Sequence, residues 1–507
     1  MLHPSYVELM KVVNKNSDEI GEEPVVNSRY SIVCATAKRA RQIIDGQEPL
    51  IRVSKGEKPL SIAVDELYRG ELQIISEDDE EQEEEHMLSM ITKDGITITN
   101  DENEADVIVV NSCCFISDAM EESIQTLIDM GSLKETANLK ALIVTGCLAE
   151  RYAKEIAEQI PEVDAVIGTN AYDEIVYAIH EVMEGHKTSV KKPLTGLPRN
   201  YAGRTLTTGG HFAHLKIAEG CDKHCTYCVI PSIRGNYRSV PMEDILAEAA
   251  SLAADGVKEL ILVAQETTLY GVDLYGKKTL PTLLQKLSEI EGIHWIRLQY
   301  CYPEEITDEL IQMMADNPKV CHYIDIPIQH ANDYVLKRMG RKTSQADLRR
   351  IVGALRQAMP DICIRTTLIC GFPGETEQSH EELKAFVSDM KFDRLGCFAY
   401  SRQEGTPADT FPDQVPEEIK QARVAEIMEL QQDISTARNE TYIGRTLDAF
   451  VEGKVADENV YVARTYRDAP DVDGYVFIQT TRELMTGDIV SVHVTGSYEY
   501  DLIGELA

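Results

Sequence analysis

Short apolar runs alternate with longer amphipathic stretches in two regions of the chain. Between about residues 88 and 185, three apolar runs begin near Asp106, Ala141 and Ala165, and helical patterns separate them. From Ala213 onward, six more apolar runs alternate with helical segments: 213–218, 259–263, 295–300, 323–327, 362–369 and 394–400. Strands that alternate with helices are typical of parallel sheets with crossover helices. We therefore predict an α/β fold with an N-terminal parallel α/β domain over 88–185 and a partial (β/α) barrel over 211–437.

The flanking segments have different patterns. Residues 438–507 contain short alternating runs broken by Gly, Asp and Asn, which predict a small antiparallel β-barrel behind a helical connector at 418–438. Residues 186–210 are rich in Pro, Gly and Thr and are predicted to be a linker. From Glu77 to Glu85, eight of nine positions are Asp or Glu, so we expect residues 77–87 to be a solvated junction after a separate unit, 1–76.

The composition limits the classes of partner and of cysteine site that the chain can have. The chain has 507 residues and a formal charge of -35, which argues against general affinity for nucleic acid and favours a basic protein as a large partner. No signal peptide or membrane-spanning apolar run is evident, so we expect a cytoplasmic protein without membrane contacts. In a reducing compartment, twelve cysteines indicate metal ligation or burial rather than disulfides. Five of them lie mostly in strand-like runs and are predicted to be buried: Cys301, Cys321, Cys363, Cys370 and Cys397.

Three other cysteines form the motif C-x3-C-x2-C directly after the first strand of the predicted barrel: Cys221, Cys225 and Cys228. Three thiolates can bind three irons of a four-iron cube and leave the fourth iron open to a substrate. A zinc site would need a fourth ligand, and no second C-x2-C is present. His224 lies between two of the cysteines and is expected to face solvent. An iron-sulfur cluster is therefore favoured over zinc.

The string from Cys221 to Ser239, which includes Pro231-Ser-Ile-Arg-Gly235, resembles the methylthiotransferase branch of the radical S-adenosylmethionine (SAM) superfamily. The resemblance implies a [4Fe-4S] cluster on the three cysteines, whose open iron binds SAM and whose electron releases a 5′-deoxyadenosyl radical. It also implies an external electron donor and a sulfur source. No catalytic side chain is assigned.

Cofactor contacts are predicted at two further strand ends of the barrel. Gln265 follows the strand after the cysteine loop, where related barrels contact the methionine end of SAM. Gly371 and Gly374 lie in a Gly-Phe-Pro-Gly-Glu-Thr string that allows close approach to a cofactor or forms a strand-to-helix turn. For His330, a buried, hydrogen-bonded histidine is favoured over a catalytic base.

Methylthiotransferases bind a second cluster through three cysteines of their N-terminal domain. Cys113 and Cys147, each after a predicted strand, match two of these positions. The third should lie in a segment like Leu-Gly-Cys-x-Lys-Asn, which is not found, and the resemblance begins near His86. Either Cys114 or Cys34 replaces the third ligand, or the second [4Fe-4S] cluster is weak or absent. Cys114 adjoins Cys113 and should point the opposite way, whereas Cys34 lies in an apolar helical run.

Residues 1–76 have a resemblance of their own. The strings at 26–30, 37–43 and 58–67 resemble the omega subunit of bacterial RNA polymerase, a small helical protein. This resemblance implies an additional N-terminal helical segment and RNA polymerase as a partner.

Two sequence strings indicate the class of substrate. Residues 323–330 and 464–474 resemble the methylthiotransferases that modify the β-carbon of an aspartate on small-subunit ribosomal protein twelve. The tail resembles a TRAM domain, a module that commonly binds RNA, but residues 438–507 hold six Lys and Arg against thirteen Asp and Glu. Such a surface favours a basic protein over tRNA. Methylthiolation of a tRNA adenosine and a polymerase-associated protein with an impaired enzyme half stay open as alternatives.

Overall fold

The structure, a computed structural model, describes residues 81–99, 101–198, 203–455 and 459–507. The omega-like segment, 1–76, and Cys34 within it lie outside the described residues. No helix in the described ranges is long and apolar enough to cross a membrane.

An α/β domain opens the described part of the chain. Its four strands are all parallel and neighbour one another in chain order: β1 (Val107–Ser112), β2 (Ala141–Gly146), β3 (Val163–Ile167) and β4 (Thr188–Val190). The helices are α1 (Glu81–Lys93), α2 (Ser117–Thr136), α3 (Cys147–Arg151), α4 (Ala153–Gln159) and α5 (Ile175–Met183). Leu142 and Val144 of β2 pack in one apolar cluster with α2 and α4, whereas Ile143 packs in another with α1 and α5. Helices on both faces explain why β2 is apolar and buried throughout.

A six-stranded parallel sheet forms the predicted partial barrel. Its strands, from one edge to the other, are β12 (Arg394–Ala399), β11 (Cys363–Cys370), β10 (Val320–Asp325), β9 (Trp295–Leu298), β8 (Glu259–Val263) and β5 (Phe212–Lys216). All six apolar runs predicted from the sequence are strands. A two-stranded hairpin, β6 (Ala218–Glu219) with β7 (Arg238–Ser239), follows β5 and was not predicted, because two-residue strands have no periodicity.

Helices connect the strands and cover the outside of this sheet. They are α6 (Ile230–Ile233), α7 (Met242–Ala254), α8 (Val272–Tyr275), α9 (Leu280–Ser288), α10 (Asp308–Asp316), α11 (Asp333–Arg338), α12 (Gln345–Ala358), α13 (Glu377–Met390) and α14 (Glu417–Glu440). Side chains that cap their first turns fix several helix starts. Ser344, for example, forms a capping box with Asp347 at the start of α12.

The tail is a closed barrel of five strands in the order β13-β14-β15-β17-β16. These are β13 (Thr446–Lys454), β14 (Val460–Thr465), β15 (Val476–Gln479), β16 (Ile489–Ser497) and β17 (Leu502–Leu506). The prediction of an antiparallel barrel is correct except for β15 and β17, which pair in parallel. A closed ring with an odd number of strands cannot alternate direction throughout, so one parallel pair is unavoidable.

The tail barrel packs against the amino ends of the parallel strands. Arg464 in β14 pairs with Glu259, the first residue of β8, and Asp468 pairs with Arg394, the first residue of β12. The string 464–474, which marked the ribosomal-protein branch in the sequence, is therefore largely buried at this interface.

Two expectations about the segments between domains are wrong. The acidic junction, 77–87, was expected to be solvated, but Gln82, Glu83, Glu85 and His86 in α1 are buried. Their charges are compensated by partners distant in sequence, as described below. The linker 186–210 contains β4, which adds to the first sheet.

Candidate functional site

The cysteine triplet lies at the carboxyl end of the partial barrel, in the loop that the β6–β7 hairpin closes. Gly220 precedes it with φ +77, and a side chain there would collide with the backbone oxygen of Asn236, so the turn requires glycine. The Cys221 amide donates to the Gly235 carbonyl at 3.1 Å. The two ends of the loop are therefore joined directly beneath the first cysteine.

Thr226, in the middle of the motif, anchors the loop to the rest of the barrel. Its amide donates to the Met339 carbonyl at 2.9 Å, and its hydroxyl donates to the Arg338 carbonyl at 2.8 Å. Its carbonyl accepts from the Ala408 amide at 2.9 Å. These three bonds hold the cysteine loop against the segment after α11 and the turn before α14.

The three thiols are enclosed by protein. Cys221 and Cys225 are buried and Cys228 is half-buried. Burial raises the pKa of Cys221 to about 11 and that of Cys228 to about 12. Without metal, both are thus protonated at neutral pH, and metal binding must displace their protons.

The sulfurs of the triplet do not converge on one point in the structure. Within the described ranges, one group of His, Cys, Asp and Glu has its ligand atoms all within 4.8 Å of one another: Glu181, Glu184 and His186, which does not include the triplet. His224 is exposed, with φ +48, as expected for a residue that faces solvent. A cube, which gives each thiolate its own iron, tolerates the wider spacing of the three sulfurs.

Buried polar atoms beside the triplet fit an anionic group. Arg341 is buried, its Nη2 donates to the Pro327 carbonyl at 2.7 Å, and its Nε and Nη1 have no hydrogen-bond partner among the described residues. Burial of guanidinium nitrogens without hydrogen-bond partners is costly. A cluster ligated by three thiolates is anionic, so the residues present fit it.

Gln265 follows β8 and lies beside the cysteine loop. Its Oε1 accepts from the Gly220 amide at 2.8 Å, which ties the end of β8 to the residue before Cys221. Its contact with SAM stays a prediction.

Glu266 next to it was not singled out by sequence reasoning. Its carboxylate is fully buried, accepts from the Thr268 amide at 2.9 Å and lies 3.7 Å from the Lys223 Nζ. Burial raises the pKa of Glu266 to about 7, although Thr268 and Lys223 act against that rise. A buried carboxyl group with a raised pKa in a functional cleft is a signal that only the fold provides.

The turn with Gly371 and Gly374 follows β11, and both glycines have positive φ, +74 and +84. The amides of Gly371 and Phe372 donate to Glu375 Oε2 at 2.7 and 3.2 Å, and Thr376 caps α13. The chain thus forms the strand-to-helix turn that was one of the two alternatives. Contact of the two glycines with SAM stays a prediction.

His330 is fully buried, as favoured from the sequence. Its Nδ1 accepts from the Asn332 amide at 2.9 Å, and its Nε2 lies 3.6 Å from the Glu375 carboxylate. The five cysteines predicted to be buried in strand-like runs are also all buried.

Cys113 and Cys147 lie together at the carboxyl edge of the first sheet. Ser112 and Gly146, the last residues of β1 and β2, are paired in register, and the two cysteines follow them directly. Gly146 has φ +89, and a Cβ there would lie 2.5 Å from Asn111 Oδ1, so the backbones approach too closely for a larger residue. Parallel pairing thus brings two cysteines 34 positions apart to one edge.

Cys114 is fully buried in an apolar cluster with Val110 and Leu127, whereas Cys113 is half-buried. The two neighbours therefore differ in environment, as expected for adjacent residues of an extended chain. Ligation of a second cluster by these cysteines stays a prediction.

A buried charge network surrounds Cys147. The Arg234 Nη2 lies 3.4 Å from the Cys147 Sγ, and its Nη1 pairs with Glu83 of α1. Lys216 at the end of β5 pairs with both Glu83 and Glu219 at 2.5 Å. Burial raises the pKa of Glu83, but Arg234 and Lys216 outweigh it and hold that pKa at about 2.

The start of α1 therefore lies at the second cysteine edge. Glu84 accepts a hydrogen bond from the Asn111 side chain at 3.0 Å, and Glu85 pairs with Arg204. The described end of the acidic run, which was expected to be solvated, instead packs between the two domains through Glu83 and Glu85.

Four family models match the chain. The radical SAM superfamily covers residues 215–387, the uncharacterized protein family UPF0004 covers 78–168, and the TRAM domain covers 443–507. RNA polymerase Rpb6 matches 24–74, in agreement with the omega-like segment. The UPF0004 match begins at residue 78, so the start of the resemblance near His86 was placed too late.

Curated relatives extend over most of the chain. A ribosomal protein uS12 methylthiotransferase, RimO, of Lachnoclostridium phytofermentans is 56% identical over 420 residues, which are 83% of this chain and 96% of that protein. The RimO of Clostridium tetani is 48% identical over 83% of this chain and 94% of its own length. The solved radical SAM methyltransferase TsrM of Kitasatospora setae is 13% identical, with a TM-score of 0.48 over 66% of this chain and 74% of its own. Because these two RimO proteins are 56% and 48% identical to it over 83% of its length, the chain belongs to the ribosomal protein uS12 methylthiotransferase family of radical SAM enzymes.

Proposed function

We propose that the chain replaces a β-carbon hydrogen of one aspartate on small-subunit ribosomal protein uS12 with a methylthio group. The observation that supports this most strongly is the 56% identity to a uS12 methylthiotransferase over 96% of that protein. The enclosed cysteine triplet at the carboxyl end of the barrel supplies a matching site.

In this proposal, Cys221, Cys225 and Cys228 hold the [4Fe-4S] cluster. When bound, the cluster and SAM supply a 5′-deoxyadenosyl radical, and the protein orients it and excludes water. Gln265, Gly371 and Gly374 contact SAM. The hydrogen bonds of Gly220 and Thr226 keep the cysteine loop in one conformation.

Sulfur insertion depends on the second cysteine edge. Cys113 and Cys147 are two ligands of a second [4Fe-4S] cluster, and the guanidinium of Arg234 beside Cys147 suits an anionic cluster. The third protein ligand is Cys114, Cys34 or none. With two thiolates the cluster is weakly held, so we expect SAM cleavage to be more robust than methylthiolation.

The charge of the tail barrel supports a basic protein substrate over tRNA. Of its six Lys and Arg, Arg464 and Arg467 are buried against the parallel sheet, where they cannot contact a phosphate backbone. A strongly basic ribosomal protein is attracted to the acidic surface that is left. The match to a TRAM domain is the observation that favours RNA, and modification of tRNA is therefore the competing outcome of the test.

The other partners in this proposal follow from the family resemblance of the enzyme half and of residues 1–76. An external reductant and a sulfur source complete the reaction, and residues 1–76 bind RNA polymerase. A reducing cytoplasm is the compartment that suits cysteines that ligate clusters.

The test uses anaerobically reconstituted full-length protein with SAM, reductant, sulfide and purified uS12. Mass spectrometry should show the methylthio mass gain on an aspartate-containing peptide of uS12. The Cys113→Ala/Cys147→Ala variant should still cleave SAM but give no methylthio product. A methylthio group on tRNA instead of uS12 would overturn the proposal.

A further inference from the structure

A tyrosine beside the cysteine triplet is held in an unusual electrostatic position. The hydroxyl of Tyr302 lies 3.6 Å from the Sγ of Cys225. Two cations lie over its ring: the Arg341 guanidinium is 4.3 Å from the ring centroid, and the Lys223 ammonium is 5.0 Å from it. One phenol is therefore in contact with a thiol of the site and with two positive charges.

The two cations differ in how they are compensated. Lys223 pairs with Glu305, lies 3.4 Å from Glu304 and 3.7 Å from Glu266. Arg341 forms no ion pair among the described residues, and two of its buried nitrogens have no hydrogen-bond partner there. Arg341 is therefore the less compensated of the two cations, and its charge interacts with Cys225.

This arrangement makes Tyr302 a hydrogen-bond donor toward the thiolate. A Cys225 that ligates iron is a thiolate without a proton, so the hydroxyl of Tyr302 is the donor in this contact. Cations over an aromatic face withdraw electron density from the ring, which strengthens the O–H as a donor.

Hydrogen bonds to the sulfurs of an iron-sulfur cluster and nearby positive charge stabilise the reduced, more negative state. We propose that Tyr302 is a positioning residue that donates a hydrogen bond to the Cys225 thiolate and, together with Arg341, raises the reduction potential of the radical SAM cluster. The inference rests on the cluster of the proposed function and is independent of its substrate.

The test is a redox titration of the cluster, followed by paramagnetic resonance, in the full-length Cys113→Ala/Cys147→Ala background. That background leaves the signal of one cluster. In Tyr302→Phe, which keeps the ring and removes the hydroxyl, we expect the equilibrium constant for cluster reduction to fall about tenfold. For a one-electron couple, this is a shift of about 59 mV to more negative potential.

Tyr270→Phe is the matched control. Tyr270 is a buried tyrosine of the same barrel whose hydroxyl donates to the Val240 carbonyl at 2.9 Å, so the potential should not change. If Tyr302→Phe assembles no cluster, Arg341→Lys decides: it removes the planar guanidinium and should also lower the potential. Potentials equal to the parent value in the variants that assemble a cluster would overturn the inference.

The proposed function fails in a different way. If the parent chain itself assembles no redox-active cluster, the cysteine assignment is wrong and not just the role of Tyr302. If the parent titrates and Tyr302→Phe has the same potential, the inference alone is lost.

Discussion

The contact between the parallel sheet and the tail barrel centres on a carboxylate shared by two arginines. Glu259 is fully buried, and one of its oxygens accepts from the Arg297 Nε at 2.7 Å. The other lies 2.7 Å from the Arg464 Nη2, which belongs to the tail barrel. We predict that Glu259→Gln destabilises the protein strongly, because two buried guanidinium groups lose their shared counter-ion.

Two arguments give a similar magnitude. Removing one partner of a buried ion pair typically costs about 3–5 kcal/mol. Independently, burial raises the pKa of Glu259, but Arg464 and Arg297 outweigh it and hold it at about 2, against an ordinary value of 4.5. A shift of that size corresponds to roughly 3 kcal/mol.

The chain has one tryptophan, Trp295, which lies at this interface in edge-to-face contact with Phe450, 4.6 Å between ring centroids. Urea unfolding followed by its fluorescence therefore reports the contact directly. We expect the unfolding free energy of this transition to fall by about 3 kcal/mol in Glu259→Gln at pH 7. Glu158→Gln in the exposed Lys154–Glu158 pair is the control and should change it by less than about 1 kcal/mol.

The stability difference between the parent chain and Glu259→Gln depends on pH with a definite sign. Because the pKa of Glu259 is lowered by folding, its contribution is fully present above about pH 4.5 and is lost as the pH falls toward about 2. The difference between parent and variant should thus be constant from pH 5 to 8 and shrink below that range. A loss below 0.5 kcal/mol at pH 7, or one that grows with acid, would refute the reasoning.

Three further predictions concern the cysteine sites. Removing iron with a chelator at pH 8 should cause proton uptake beyond the contributions of the released sulfide and of the chelator, because burial raises the pKa of Cys221 to about 11 and that of Cys228 to about 12. A pH-stat measures it against the same chelator mixed with free iron and sulfide, and the absence of excess uptake would contradict buried thiols. Gly146→Ala should destabilise the first sheet by about 1–3 kcal/mol, because its φ is +89 and the added Cβ would collide with Asn111. Thermal unfolding measures the loss. Gly185→Ala is the milder control, because Gly185 also has a positive φ, +86, but an added Cβ there would meet open space. Arg234→Met should lower the iron bound by the second site in a background without the triplet, and unchanged iron content would exclude Arg234 as its partner.

The six parallel strands of the barrel could be predicted because each is an apolar run flanked by a helical pattern. The same logic placed Cys113 and Cys147 after two strands, and the in-register pairing of Ser112 with Gly146 brings them together. Strands of two or three residues, such as β4, could not be predicted, since so short a segment carries no period.

The acidic run shows the limit of local reasoning. Eight acidic residues in nine positions indicate a solvated segment, yet Glu85 pairs with Arg204, 119 residues away, and Glu83 pairs with Arg234. The residue pattern of a short segment does not identify ion-pair partners that are so far away in the chain. The positions of Tyr302 and Arg341 likewise depend on loops that only the folded barrel brings to the cysteines.

The string 464–474 also lies at a place in the fold that the sequence did not indicate. Its resemblance favoured a ribosomal-protein substrate, but it packs at the amino ends of the strands, and the cysteine triplet lies at their carboxyl ends. The string therefore contributes to a domain contact at the end of the sheet opposite the cysteine triplet.

The most direct test of the central claim measures 5′-deoxyadenosine. The reconstituted parent chain and the Cys221→Ala/Cys225→Ala/Cys228→Ala variant are each incubated with SAM and reductant, and the nucleoside is quantified by liquid chromatography and mass spectrometry. We predict 5′-deoxyadenosine from the parent and none above background from the variant, even where iron is retained at the second site. A parent with a full cluster that forms no 5′-deoxyadenosine, or a triple variant that forms as much as the parent, would contradict the account.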